Sequence, residues 1–262
     1  MSFDFEGVFN EDYLHFYEQI LTPERTAEDV EKIVELLDRP PGAEILDCPC
    51  GHGRIANELA ERGFRVAGLD ASEFFLERAR ADAAARGVEV EYTQGDMRSL
   101  PWRERFDALV NWFTSFGYFS DEQNKAVLRE FHDALKPGGR LILETQNITR
   151  ILLDPRPQHF VERDGDLMLD EWQLDLENAR FVTSRTVVRD GQTRKTHFVV
   201  RWFSVPELRS WLEEAGFTDV RTPGLTRESR LVVLADRPLP WHRDEWTRPR
   251  SRYSSAACVA AR

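Results

Sequence analysis

Ile45-Leu46-Asp47-Cys48-Pro49-Cys50-Gly51-His52-Gly53-Arg54 is the stretch whose reading decides the fold. An apolar run ends in a carboxylate, turns through two glycines and enters a helical pattern. That is how α/β folds cradle a nucleotide-like cofactor. Glycine lets the main chain approach the ligand with no side chain between, and the helix that follows offers free N–H groups and the positive end of its dipole.

Working outward, Thr22-Pro23 reads as an N-cap with proline at the first helical position, and Val30, Ile33, Val34 and Leu37 recur at helical spacing behind it. Strands are expected over Glu44–Cys48, Arg65–Asp70, Val88–Thr93, Phe106–Asn111 and Arg140–Thr145, with helices between them. Gly63 stops the first of those helices, Ser72 caps the second, and Ser120-x-x-Gln123 is a capping box opening the third. Lys136-Pro137-Gly138-Gly139 is expected to turn the chain into the fifth strand. Alternating strands and helices imply an α/β fold with a doubly wound, mostly parallel sheet.

From about Gln146 to Phe203 the grammar changes to alternating segments around a turn at Asp190-Gly191, which predicts an antiparallel β insertion after strand five. Ser204-x-x-Glu207 opens a further helix ending at Gly216, and Ser229–Ala235 is a last apolar strand. The expected organisation is a helical lid over residues 1–40, a cofactor-binding domain over 41–145 and 204–236, a substrate cap over 146–203, and an aperiodic tail over 237–262 expected to be loosely docked.

Gly51-x-Gly53-x-x-Ala56 with Asp70 closing the next strand also satisfies the dinucleotide fingerprint, so the turn by itself leaves a nicotinamide oxidoreductase open. A longer constellation separates the two: Asp47 before the turn, Asp70 after strand two, Gly95-Asp96-Met97 after strand three, and Lys136-Pro137-Gly138-Gly139 before strand five. Together these resemble a class I S-adenosylmethionine-dependent methyltransferase of the small-molecule type, over about residues 43–145. The resemblance implies a Rossmann-like seven-stranded sheet and S-adenosylmethionine as donor, leaving as S-adenosylhomocysteine. It further implies that Pro49, Cys50, Gly51 and Gly53 pass the methionine portion, with Asp47 at its amino group and Arg25 at its carboxylate. Asp70 would take both ribose hydroxyls, as suits a carboxylate with two acceptor oxygens. Asp96 would meet the adenine amino group, Ala71 and Met97 its ring faces, and Asn111 the cofactor end of strand four. Pro49 departs from the family, which usually has a glycine there. Proline fixes φ and removes an N–H, so the turn must not need that donor.

Methyl transfer from a sulfonium asks the protein chiefly to align a lone pair with the methyl and to exclude water. A neutral amine acceptor needs no base at the moment of attack, whereas a hydroxyl does. The aromatic run Asn111–Phe119 sits where such an active-site loop belongs, and nitrogen is the favoured acceptor atom over oxygen. Tyr17, Tyr118, Glu144 and His159 are the candidate catalytic residues, Glu144 or Asn147 at the end of strand five to orient an amine, with Trp172, His197, Arg201 and Trp202 joining His159 in a wall over the methyl group. A third reading is an inactive cofactor-binding partner of another enzyme.

The formal net charge of −11 disfavours a nucleic-acid substrate. No apolar run approaches the roughly 20 residues that cross a bilayer, and the acidic amino terminus is no secretory signal, so a cytoplasmic protein without membrane contact is expected. The partner is then a small-molecule methyl acceptor, and a homodimer is compatible with the sequence. Three cysteines, two of them as Cys48-x-Cys50, match neither a disulfide framework nor a zinc site, so no metal is expected.

Overall fold

The structure, a computed structural model, describes residues 4–227 and 229–240. In chain order the elements are α1 (Phe5–Val8), α2 (Glu11–Tyr17), α3 (Pro23–Leu37), β1 (Glu44–Asp47), α4 (Arg54–Glu61), β2 (Arg65–Asp70), α5 (Glu73–Arg86), β3 (Val90–Gln94), β4 (Phe106–Asn111), α6 (Asp121–Ala134) and β5 (Leu135–Thr145). They continue as α7 (Ile148–Leu153), β6 (Gln158–Arg163), β7 (Asp166–Asp175), β8 (Arg180–Arg189), β9 (Gln192–Arg201), α8 (Val205–Glu214), β10 (Thr218–Arg221) and β11 (Leu231–Asp236).

One sheet has seven strands in the order β10-β11-β5-β4-β1-β2-β3. β3, β2, β1, β4 and β5 run parallel, and β11 and β10 are antiparallel additions. Both faces are covered, and side-chain alternation along each strand divides the core in two. Leu46, Leu109, Leu141, Leu143 and Val233 join the layer under α6 and α8, while Ile45, Ala108, Val110, Ile142 and Val232 join the layer under α3 and α4. The chain winds outward from β1 to β3, then returns to β4 on β1's other side. The crevice at the carboxyl ends of β1 and β4 is therefore the switch point where α/β sheets bind ligands.

Local signals account for the element ends. The Ser120 side chain accepts from the Gln123 N–H and the Gln123 side chain returns to the Ser120 N–H. Ser120→Ala should lower stability by about 1 kcal/mol in urea unfolding, the usual cost of an N-cap. At α8 only half of the expected box forms: Ser204 Oγ accepts from the Glu207 N–H, but the Glu207 carboxylate is taken by Arg201. Strand five begins earlier than expected. Leu135 already pairs with Phe106, and Lys136–Gly139 form a bulge before pairing resumes at Arg140 opposite Ala108. Lys136 anchors that bulge by reaching Asp107 at 3.0 Å and Glu44 at 3.1 Å.

The insertion after β5 is a second, four-stranded antiparallel sheet, β6-β7-β8-β9. It joins the first sheet where the Arg201 N–H donates to the Gly117 carbonyl at 2.7 Å. A Cβ on Gly117, whose φ is +112°, would lie 2.6 Å from the Arg201 carbonyl oxygen, so glycine makes the close approach there. The stretch read as one lid, residues 1–40, is shared between the two sheets. α3 buries Val30, Ile33 and Leu37 in the parallel-sheet core. α2 instead lays Phe16 on Val161, Met168 and Val187 of the antiparallel sheet, and Asp12 pairs with Arg189 and Arg194. The expectation for the tail falls mostly on 241–262, outside the described residues.

Candidate active site

The β1–α4 turn carries out what its sequence suggests. Gly51 has φ +54° and Gly53 φ +81°, and Gly53 is the N-cap of α4. Glycine supplies no side-chain acceptor there, and the Ala56 N–H of the first turn donates instead to the Asp47 carboxylate. The Cys48–Pro49 peptide is cis, and the missing Pro49 N–H is not called upon: the loop is held by Cys50 N–H to the Leu69 carbonyl and by Gly51 N–H to Asp70 Oδ2. The two glycines do different work. A Cβ on Gly53 would lie 2.7 Å from Ala79 Cβ and collide with the Tyr92 hydroxyl, whereas a Cβ on Gly51 would meet nothing within 4 Å. Gly53 serves helix packing, and Gly51 opens onto a cavity.

That cavity is lined by Asp47, Pro49, Cys50, Gly51, Asp70, Ala71, Asp96 and Met97 of the expected set, together with His52, Phe75 and Trp112. Asp47 is buried and its Oδ2 has no hydrogen-bond partner. Burial pushes its carboxyl up to about 8, with Arg54 pulling the other way. Burial also raises Asp70, against the Ser72 and Gly51 N–H groups that its two oxygens accept from at 2.9 and 2.8 Å. Burial works against ionisation of Asp96 as well, but the Arg98 fork outweighs it and holds that carboxyl below its usual range. His52 is pushed down to about 4, chiefly by burial, and is neutral at physiological pH.

A second cavity of about 490 Å³ lies between the parallel sheet, α7 and the antiparallel sheet. The two cavities share Phe9, Tyr13, Phe113, Ser115 and Tyr118, a largely aromatic partition that carries the hydroxyls of Tyr13, Ser115 and Tyr118. Tyr13 stacks on Tyr17 at 4.2 Å, and Phe9 meets Tyr118 edge-on at 5.7 Å. Phe113 and Thr114 stand at φ +61° and +58°, a conformation that bulky residues adopt only when their surroundings impose it. Glu144 helps impose it, since its carboxylate accepts from the Phe113 N–H and from Arg230 at 3.0 Å. Arg25, Arg54 and Arg230 stand 5.4, 5.4 and 5.0 Å from the Phe113 ring centre. In the chamber, Arg185 grips Asp170 through two bonds of 2.7 Å and reaches the Tyr17 hydroxyl at 3.3 Å.

A family model of a methyltransferase domain matches residues 45–139, from β1 through the Lys136–Gly139 bulge. The putative methyltransferase YqeM of Bacillus subtilis is 31% identical over 193 residues, covering 68% of this chain and 74% of YqeM. The chain belongs to the class I S-adenosylmethionine-dependent methyltransferases. The glycine/sarcosine N-methyltransferase of Aphanothece halophytica is 29% identical over 212 residues, covering 78% of this chain and 77% of that protein. Among solved structures, the sugar N-methyltransferase KedS8 of Streptoalloteichus shares the fold with a TM-score of 0.68 at 20% identity, over 91% of this chain and 97% of that one. The nicotinamide reading of the glycine turn is thereby set aside.

Three residues expected at the donor do not line the first cavity of this methyltransferase. Arg25 is turned onto the Phe113 ring, Gly53 faces Ala79 and Tyr92, and Asn111 is fully buried with its amide donating to the Cys48 carbonyl at 2.8 Å. They shape the cavity from behind. Tyr17, Tyr118, Glu144 and His159 all line the second chamber, but with unequal freedom. Glu144 is committed to Arg230 and the Phe113 N–H, while His159 is exposed on the edge strand β6. Asn147 and, of the further wall residues, Trp172 reach the chamber, whereas His197 is exposed. Arg201 instead fastens β9 to α6 and α8 through Asp121 and Glu207. Sequence reasoning missed Phe9, Tyr13, Thr183, Arg185 and Asp170. The i, i+4 spacing of Phe9, Tyr13 and Tyr17 was the available signal for the first two.

Among the described residues no group of three His, Cys, Asp or Glu side chains has the geometry of a metal site, and no helix is long and apolar enough to cross a membrane.

Proposed function

We propose that this methyltransferase methylates the nitrogen of a small-molecule amine held in the second chamber, with the acceptor reaching through the aromatic partition. Bound in the first cavity, the donor supplies a methyl on sulfonium sulfur, which an acceptor lone pair takes in line. The remaining tasks belong to this chain.

One observation carries the choice of nitrogen: no carboxylate at the partition is free to serve as a base. Burial raises the phenols of Tyr13, Tyr17 and Tyr118, so they stay protonated, while Glu144 and Asp170 are each clasped by an arginine. A neutral amine needs none of them as base at the moment of attack, and a hydroxyl would. The ring faces of Phe9, Tyr13 and Tyr118 suit the cationic ammonium product. The names of the glycine/sarcosine and sugar N-methyltransferases among the similar proteins agree with this reading.

In the donor cavity, Asp47 is assigned to the donor's amino group, since its Oδ2 is a buried acceptor still lacking a partner. Asp70 takes the ribose hydroxyls with the lone pairs its backbone donors leave free, and Ala71, Asp96 and Met97 flank the adenine. Tyr17 and Tyr118 wall the transfer point. Glu144 is a positioning residue that holds the Phe113 loop, and His159 has no role in the transfer.

Incubating the protein with a panel of amines and of matched alcohols, with labelled donor, tests the reading: label should enter the amines alone. Asp70→Ala should weaken binding of S-adenosylhomocysteine by about 1.5–3 kcal/mol in calorimetry, the range for hydrogen bonds to a charged group.

A further inference from the structure

The chamber in which the acceptor is placed has a charge excess of one sign. Its lining holds three carboxylates, and each is already matched. Glu144 pairs with Arg230 at 3.0 Å, Asp170 with Arg185 at 2.7 Å, and Asp154 with Arg156 at 2.8 Å. A fourth arginine, Arg150 on α7, also lines the chamber, and among the described residues no carboxylate lies within ion-pair reach of it. The excess runs against the whole chain, whose formal net charge is −11.

A second observation points the same way from deeper in. Arg185 lines the chamber at 6% exposure, uses Nε and Nη2 on Asp170, and makes no hydrogen bond through Nη1. A buried guanidinium with a spare N–H edge selects oxygen acceptors, because a donor left unpaired by the ligand is costly.

We propose that the acceptor carries, besides its amine, an anionic oxygen group, a carboxylate or a phosphate, that pairs with Arg150, while Arg185 donates from Nη1 to an oxygen nearer the reacting nitrogen. This rests on the small-amine reading above. Arg185 is fixed by Asp170, so it supplies direction, and Arg150, exposed and uncompensated, supplies charge. A neutral acceptor would leave the Arg150 charge unmatched. An acceptor with only cationic groups would be repelled by it.

The test is calorimetric titration of the protein loaded with S-adenosylhomocysteine. Inorganic phosphate is used in one arm and succinate in the other, on the wild-type protein, Arg150→Gln, Arg150→Lys, and the exposed α6 control Arg129→Gln. One anion should bind the wild type and Arg129→Gln alike, at least tenfold more weakly to Arg150→Gln, with much of the affinity restored in Arg150→Lys. The arm that responds names the anionic group. The inference is overturned if neither anion binds, or if Arg150→Gln binds as the wild type does. Binding of S-adenosylhomocysteine itself is the separate check on the underlying reading, since Arg150 does not line the donor cavity and its replacement should leave that affinity unchanged. Once a product is known, Arg150→Gln should raise KM at least tenfold with kcat largely kept.

Discussion

Gly53→Ala should unfold in urea about 2–5 kcal/mol more easily than the wild type, while Gly51→Ala should lose no more than about 1–2 kcal/mol and yet fail to bind the donor. Both residues lie in the left-handed region, where a Cβ costs roughly 1–2 kcal/mol. Only at Gly53 does a second cost arise, because the new methyl would sit 2.7 Å from Ala79 Cβ, and overpacking of that kind adds about 1–3 kcal/mol. The neighbours are firmly held and cannot give way: Tyr92 donates to Asn57 Oδ1 at 2.6 Å, and Asn57 in turn donates to the Ala79 carbonyl and to Asp82. At Gly51 the space is open, so the fold tolerates the methyl, but the methyl stands where a ligand must come. Paired urea curves and calorimetry on the two variants would show the dissociation. Equal stability losses would contradict the division of labour between the glycines.

Donor binding should tighten about tenfold between pH 6 and 7, by less than that between pH 7 and 8, and release close to one proton at pH 7. In the free protein burial holds the Asp47 carboxyl at about 8, with Asp70 adding to the rise and Arg54 opposing it, so at neutral pH the group is mostly protonated. An ammonium placed beside it favours the carboxylate, so binding expels the proton. The gain levels off around pH 8, where Asp47 is about half ionised and the donor's own amino group is losing its charge. The same shift sets the sign for the fold without donor. The folded-state value lies above the unfolded value of 3.8, so the folded protein holds the proton more tightly between the two. Stability therefore falls as pH rises from about 4 towards 8 and is flat on either side. Calorimetry in two buffers of different ionisation enthalpy measures the proton count, and Asp47→Asn should abolish it.

Much of the parallel-sheet half was legible because its signals are local. The glycine turn, the acids that close β1 and β2, the Ser120–Gln123 box and the helix-stop glycines each act within a few residues, and each stands at the end of an element. The insertion was legible only as antiparallel strands. Asp170 and Arg185 face each other because of a cross-strand register between β7 and β8, which alternation alone does not fix. α1 and α2 are short and hold through tertiary packing of Phe16 and the Asp12 ion pairs, which propensity does not show. Arg25 was placed at the donor from its position after a helix cap, but its side chain is drawn to Phe113, whose loop conformation no local rule anticipates. Glu144 was a candidate catalytic residue, and its pairing was not legible because Arg230, its partner, comes from the segment that returns to pair β11 with β5.

The central claim, methyl transfer to the nitrogen of a small anionic amine, is tested most directly by mass spectrometry of a metabolite extract from the protein's own cells after incubation with methyl-deuterated S-adenosylmethionine. The account predicts a labelled small molecule with the deuterated methyl on nitrogen and a carboxylate or phosphate elsewhere in it. Label found on oxygen or carbon, or only in protein or nucleic acid, would contradict it.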